Sequence, residues 1–116
     1  MFTLKNDTLE VSILDPIADQ DRFGTRYCTG GYIFQITDNT HGPLLSGPTY
    51  PNDFTWFHGQ GMPDAFNKTP LKDLTDASPA ALIIGIGLCN LQENVVTAFC
   101  DWQVEQTDTK ITLTTT

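Results

Sequence analysis

Residues 94–106 read NVVTAFCDWQVEQ, and the spacing of their apolar side chains decides the fold. Val96, Ala98, Cys100, Trp102 and Val104 alternate with Thr97, Asp101, Gln103 and Glu105, the period of two expected of a strand with one buried face. The period recurs outward along the chain. Phe2 and Leu4, then Leu9, Val11 and Ile13, form two such runs around the turn residues Asn6-Asp7-Thr8, an opening β-hairpin. In YIFQITD, residues 32–38, Tyr32, Phe34 and Ile36 face one way and Gln35 and Thr37 the other, and Asp38-Asn39 with His41-Gly42-Pro43 supplies turn chemistry.

Residues 80–90, AALIIGIGLCN, are nearly continuous in apolar character. They read as one strand with Leu82, Ile84, Ile86 and Leu88 on one face and Gly85 and Gly87 on the other. Asn90 to Asn94 then joins this strand to the next as a hairpin. KITLTTT, residues 110–116, is β-prone and carries no glycine or proline to blunt its edge. These runs predict an all-β fold, an antiparallel β-sandwich with one long irregular loop. That loop spans Pro43 to Pro79, which holds six of the seven prolines. Within it, Thr69-Pro70 and the residues that follow predict one helical turn. Residues 16–30 read as an irregular connection ending in Gly30-Gly31.

At 116 residues the chain is long enough for one domain with a buried core. Fourteen acidic against six basic residues give a formal charge of −8, which repels phosphate backbones and anionic lipid over a Debye length of about 8 Å. This argues against nucleic-acid and membrane-surface partners. Three cysteines, Cys28, Cys89 and Cys100, cannot all pair within the chain, and two lie in apolar segments, which fits a reducing cytoplasm. The first residues show neither a basic nor an apolar signal region, and no apolar run reaches about 18 residues.

Residues 56–66, WFHGQGMPDAF, set a histidine, a glutamine and an aspartate among aromatics. With Arg26 and Tyr27 ahead of the Gly-Gly pair, the set Arg26, Tyr27, Trp56, His58, Gln60 and Asp64 has the composition of a sugar site. Aromatic faces cover the C–H patches of a ring, and planar polar groups fix its hydroxyls. The plainer alternative is that Trp56, Phe57 and Phe66 anchor a long loop to the sheet. His41, His58 and Asp64 lack the spacing of a metal motif, and Pro63 interrupts any phosphate-binding loop, so no metal or other cofactor is expected. A pairing of His58 with Asp64 as acid and base is a third reading.

Over LDPIADQDRFGTRYCTGGYIFQITD, GPLLSGPTYP and FHGQGMPDAF, the chain resembles the N-terminal part of the galactose mutarotase-like, or aldose 1-epimerase, family. The matching patterns are R-[YF]-x-x-G-G-Y-I at residues 26–33 and G-Q-G-x-P-[DE]-x-F at residues 59–66. The likeness covers roughly residues 3–105 and about the opening third of the family's usual length. It implies a β-supersandwich with a sugar on its concave face, Arg26, His58 and Gln60 as sugar contacts, and ring opening by an acid and a base. The family's base glutamate and acid histidine lie downstream of this region. The chain by itself is therefore expected to bind a sugar without isomerase activity, and isomerase activity is expected only when it is paired with a C-terminal portion or is part of a longer chain. A non-catalytic module that forms a homo-oligomer through residues 110–116 is the alternative.

Overall fold

The computed structural model describes residues 1–20, 30–45, 61–62, 72–73 and 75–116. Its nine described elements are all strands, in three antiparallel sheets of a sandwich-like, all-β architecture.

The first sheet has the order β1 (Phe2–Lys5), β2 (Leu9–Ile13), β3 (Ile33–Asp38), β4 (Gly42–Pro43). Its opening hairpin forms where the sequence places it, because Asn6 Oδ1 accepts the N–H groups of Thr8 and Leu9 and turns the chain locally. Phe2 then pairs with Ile13 and Leu4 with Val11. Leu14 follows β2 and donates its N–H to the Tyr32 carbonyl at 3.0 Å. Leu14, Tyr32 and Phe34 form the core cluster, with Met1 packed against them.

The alternation in residues 32–38 holds for Tyr32 and Phe34 but places Gln35 on the wet side, and there the structure differs: Gln35 is buried. Its amide replaces a backbone partner. Nε2 donates to the Leu45 carbonyl at 3.2 Å and Oε1 accepts the Leu45 N–H at 3.0 Å, which satisfies a polar group that burial would otherwise penalise.

The second sheet corrects the sequence reading of residues 80–90. The apolar run is two strands, β5 (Ala80–Ile83) and β6 (Gly87–Asn90), folded on each other with Leu82 opposite Leu88. Ile86 N–H bonds back to Ile83 C=O at 3.1 Å, and Gly85 and Gly87 adopt the positive φ this tight turn needs. The glycines bend the strand. They do not line a flat face. The hairpin expected at Asn90 to Asn94 is present, with Asn90 Oδ1 accepting from Gln92 and Glu93 and Asn94 left-handed, and it leads into β7 (Val95–Phe99).

Residues 94–106 are likewise two strands. β7 ends at Phe99, and β8 (Trp102–Gln106) belongs to a third sheet with β9 (Ile111–Thr115). At the break, Cys100 N–H bonds to Ile86 and the Asp101 carbonyl accepts from the Thr115 hydroxyl. The period of two continues unbroken in sequence because the side chains on each side of the break still alternate. The third sheet turns the face of Trp102 and Gln106 to the first: the Trp102 indole lies on Gly30, and Gln106 Nε2 donates to Thr3 C=O at 3.0 Å. Among the described residues no helix is long and apolar enough to cross a membrane. The helical turn expected near Thr69 lies outside the described residues.

Candidate functional site

All six residues expected to contact a sugar, Arg26, Tyr27, Trp56, His58, Gln60 and Asp64, lie outside the described residues, as does Cys28. Their flanks are described. The segment carrying Arg26 and Tyr27 rejoins the sheet at Gly30 and Gly31, directly before Tyr32 and β3. The segment carrying Trp56, His58 and Gln60 leaves the sheet after Leu45 and returns at Gly61 and Met62.

Both of its ends are fastened to β3. Leu44 N–H bonds to Ile36 C=O at 2.8 Å, Leu45 is held by Gln35, and Met62 N–H bonds to Ile33 C=O at 2.8 Å in an isolated antiparallel bridge. The position next to β3 is thus filled by two pieces of chain. Gly61 makes the closest approach, with φ +91 and its Cα hydrogen where a Cβ would meet the Ile33 carbonyl and the Phe34 backbone.

The flanks of both segments therefore meet at the first residue of β3. Trp102 joins them, half-buried, with its ring against Gly30. Sequence periodicity places Trp102 only on an apolar face. Its nearness to the Gly-Gly pair depends on the third sheet packing on the first.

His41, a metal candidate by residue type, is committed to a turn instead. Asp38 Oδ1 accepts from the His41 and Thr40 N–H groups at 2.8 Å each and lies 3.0 Å from His41 Nδ1. These bonds, the His41 N–H first, hold the Asp38 carboxyl below its ordinary value of 3.8. Because the folded value is the lower one, the turn gains stability above the unfolded value and loses it as pH falls through the folded one. No group of three metal-ligating side chains occurs among the described residues.

A cleft of about 630 Å³ runs between Thr3, Lys5, Gln106 and Asp108. Its polar groups are already engaged in part, Lys5 with Glu10 at 3.4 Å and Gln106 with Thr3.

Cys89 is buried, with its thiol 3.7 Å from the Gly87 carbonyl, while Cys100 is half-buried. Burial pushes the Cys89 thiol above its ordinary value of 9.0. Iodoacetamide in mildly alkaline buffer is expected to label Cys100 well before Cys89. Above pH 9.0 the unfolded chain releases the Cys89 proton and the folded chain keeps it, so stability falls with rising pH. A Cys89→Ala variant should show a flatter alkaline limb in urea titrations. Equal labelling of the two thiols would contradict this assignment.

The class defined by these features is an all-β, antiparallel, sandwich-like fold in which Leu44, Leu45 and Met62 are fastened to β3. Compared with protein-family models, curated proteins and solved structures, the chain finds no match.

Proposed function

We propose that this chain is a carbohydrate-binding module of the aldose 1-epimerase-like kind, working in the cytoplasm, that binds a sugar and does not isomerise it unaided. Arg26, His58 and Gln60 supply polar contacts, Asp64 adds a further one, and Tyr27 and Trp56 supply ring faces. The observation that supports this reading is the bridge of Met62 to Ile33, which sets the flank of one segment beside the strand that the other segment's flank, Gly30-Gly31, leads into. The described flanks of two stretches some thirty residues apart thereby lie at the same end of β3.

Calorimetric titration with D-galactose and D-glucose tests it. His58→Ala and Arg26→Ala are each expected to weaken binding about tenfold, as for one lost hydrogen bond of about 1.4 kcal/mol. Optical rotation of fresh α-anomer should relax no faster with the chain than without it. Binding by neither sugar, or affinity indifferent to both substitutions, would remove the reading.

A second reading is favoured by a different observation. β9 pairs with β8 on one side, and its other side has no hydrogen-bonded neighbour among the described residues. That suits a module that assembles through its edge.

A further inference from the structure

The free edges of the described sheets are not alike. At β1, Gln106 Nε2 caps the outward carbonyl of Thr3. At β4, the strand is two residues long and one is Pro43. At β5, Lys72 Nζ occupies the carbonyls of Ser78 and Ala80 at 2.7 and 2.9 Å. At β7, the pairing is bulged between Leu88 and Cys89, which bends the edge. β8 carries Glu105 and is tethered at Gln106. Short strands, proline, lysine and bulges are the devices that keep sheet edges from pairing with other chains. β9, Ile111 to Thr115, has none of them.

The outward groups of β9 can be assigned from the hairpin register. Thr107 N–H bonds to Lys110 C=O at 2.8 Å, and Gln106 lies opposite Ile111. In an antiparallel ladder, hydrogen-bonded and non-bonded pairs alternate, so Thr112 and Thr114 bond to β8 while Ile111, Leu113 and Thr115 point their N–H and C=O groups away from it.

Resting on the assembly reading above, we infer that the occupant of this edge is a second copy of β9, antiparallel and centred on Leu113. This register sets Leu113 against Leu113 of the second copy, Ile111 against Thr115, and Thr112 against Thr114. All the outward groups of both strands then fall into hydrogen-bonded pairs, and no outward group is left over. The cross-strand contacts are Leu with Leu, Ile with Thr and Thr with Thr, which are favourable neighbours in a sheet. No charged residue lies within Ile111–Thr115, so no like charges are set directly opposite one another. The result is one sheet of four strands, β8-β9-β9-β8, related by a two-fold axis. The chain's charge of −8 opposes the encounter at long range, so added salt should strengthen the association.

Sedimentation of the full chain is expected to give twice 12.8 kDa, with amide exchange at Ile111, Leu113 and Thr115 slowed and the protection lost on dilution. Leu113→Pro removes an N–H that β8 does not use, a place where an edge strand tolerates proline. It should raise the dissociation constant at least about tenfold, for two bonds lost across the axis. Register is tested by mixing Thr112→Cys and Thr114→Cys chains under mild oxidation and mapping disulfides by mass spectrometry. The non-bonded pair of this register brings the two Cα atoms to about 4.5 Å, within disulfide range. The mixed disulfide is expected. Thr112→Cys linked to itself would overturn the antiparallel register while leaving edge assembly standing. A monomer at all concentrations, or a dimer untouched by Leu113→Pro, would overturn both. Protected Ile111, Leu113 and Thr115 amides in a monodisperse monomer would show the edge covered by the chain's own residues, and would also overturn both.

Discussion

Gly61→Ala is expected to lower the stability of this protein by about 4 kcal/mol, adding roughly 1–3 kcal/mol for a strained backbone to roughly 1–3 kcal/mol for overpacking. The backbone at Gly61 has φ +91, and an added Cβ would fall on the Ile33 carbonyl and lie 2.9 Å from the Phe34 Cα. Neither obstacle is a side chain that can rotate away. Relief would require Met62 to give up its 2.8 Å hydrogen bond to Ile33, which fastens the returning end of the loop segment to the sheet. Against a total of about 5–15 kcal/mol for a natural domain, the loss is severe. Thermal unfolding should show it as a fall of roughly 15 °C in Tm. Gly31→Ala is the control, with a similar φ of +82 and nothing within 4 Å of the added atom. It should carry the backbone cost alone. Equal losses in the two variants would mean that the approach of Gly61 to β3 contributes nothing, and the fastening of the loop segment would have to be reconsidered.

The second large effect is expected at Asp19. Its side chain is 5% exposed, and Oδ2 accepts both the Met1 α-ammonium and the Asp15 N–H, each at 2.9 Å. Met1 packs on the core cluster, so this carboxylate joins the first residue of the chain, the turn after Leu14 and the core. Asp19→Ala leaves a half-buried ammonium and a backbone donor without their acceptor. Breaking one partner out of a buried pair costs about 3–5 kcal/mol, far more than the loss of an exposed pair such as Lys5 with Glu10. Asp19→Asn retains an acceptor for the Asp15 N–H but not the charge, and should lose less. Urea unfolding of the two variants beside the parent separates the contributions. If Asn costs as much as Ala, the charge on Asp19 carries the whole effect.

The turns were legible in the sequence because one side chain makes each of them. Asn6, Asp38 and Asn90 bond to N–H groups two and three residues ahead, so residue type and position suffice. The strand class was legible for the same reason, since alternation is a property of neighbouring residues. The breaks inside residues 80–90 and 94–106 were not. At Ile84 to Ile86 a continuous apolar run hides a hairpin. At Cys100 and Asp101 the alternation passes through a change of sheet. Gln35 was expected in water and is buried, because its amide found Leu45 ten residues away.

For the candidate site, the sequence supplied the residue types and their two segments, from Arg26 to Asp64. The anchoring of those segments could not be read from it, because Met62 to Ile33 is a bond between backbone groups and Gly61 is chosen for the side chain it lacks. By itself, then, the sequence determined antiparallel strands of period two and the turns that side chains close locally. The tertiary structure decided which strands are neighbours, where two apolar runs divide, and that Gly30, Met62 and Trp102 gather around the start of β3. The physical reason is that backbone donors and acceptors are the same at every residue. Their partners over long distances are selected by burial and close approach, which exist only once the chain has folded.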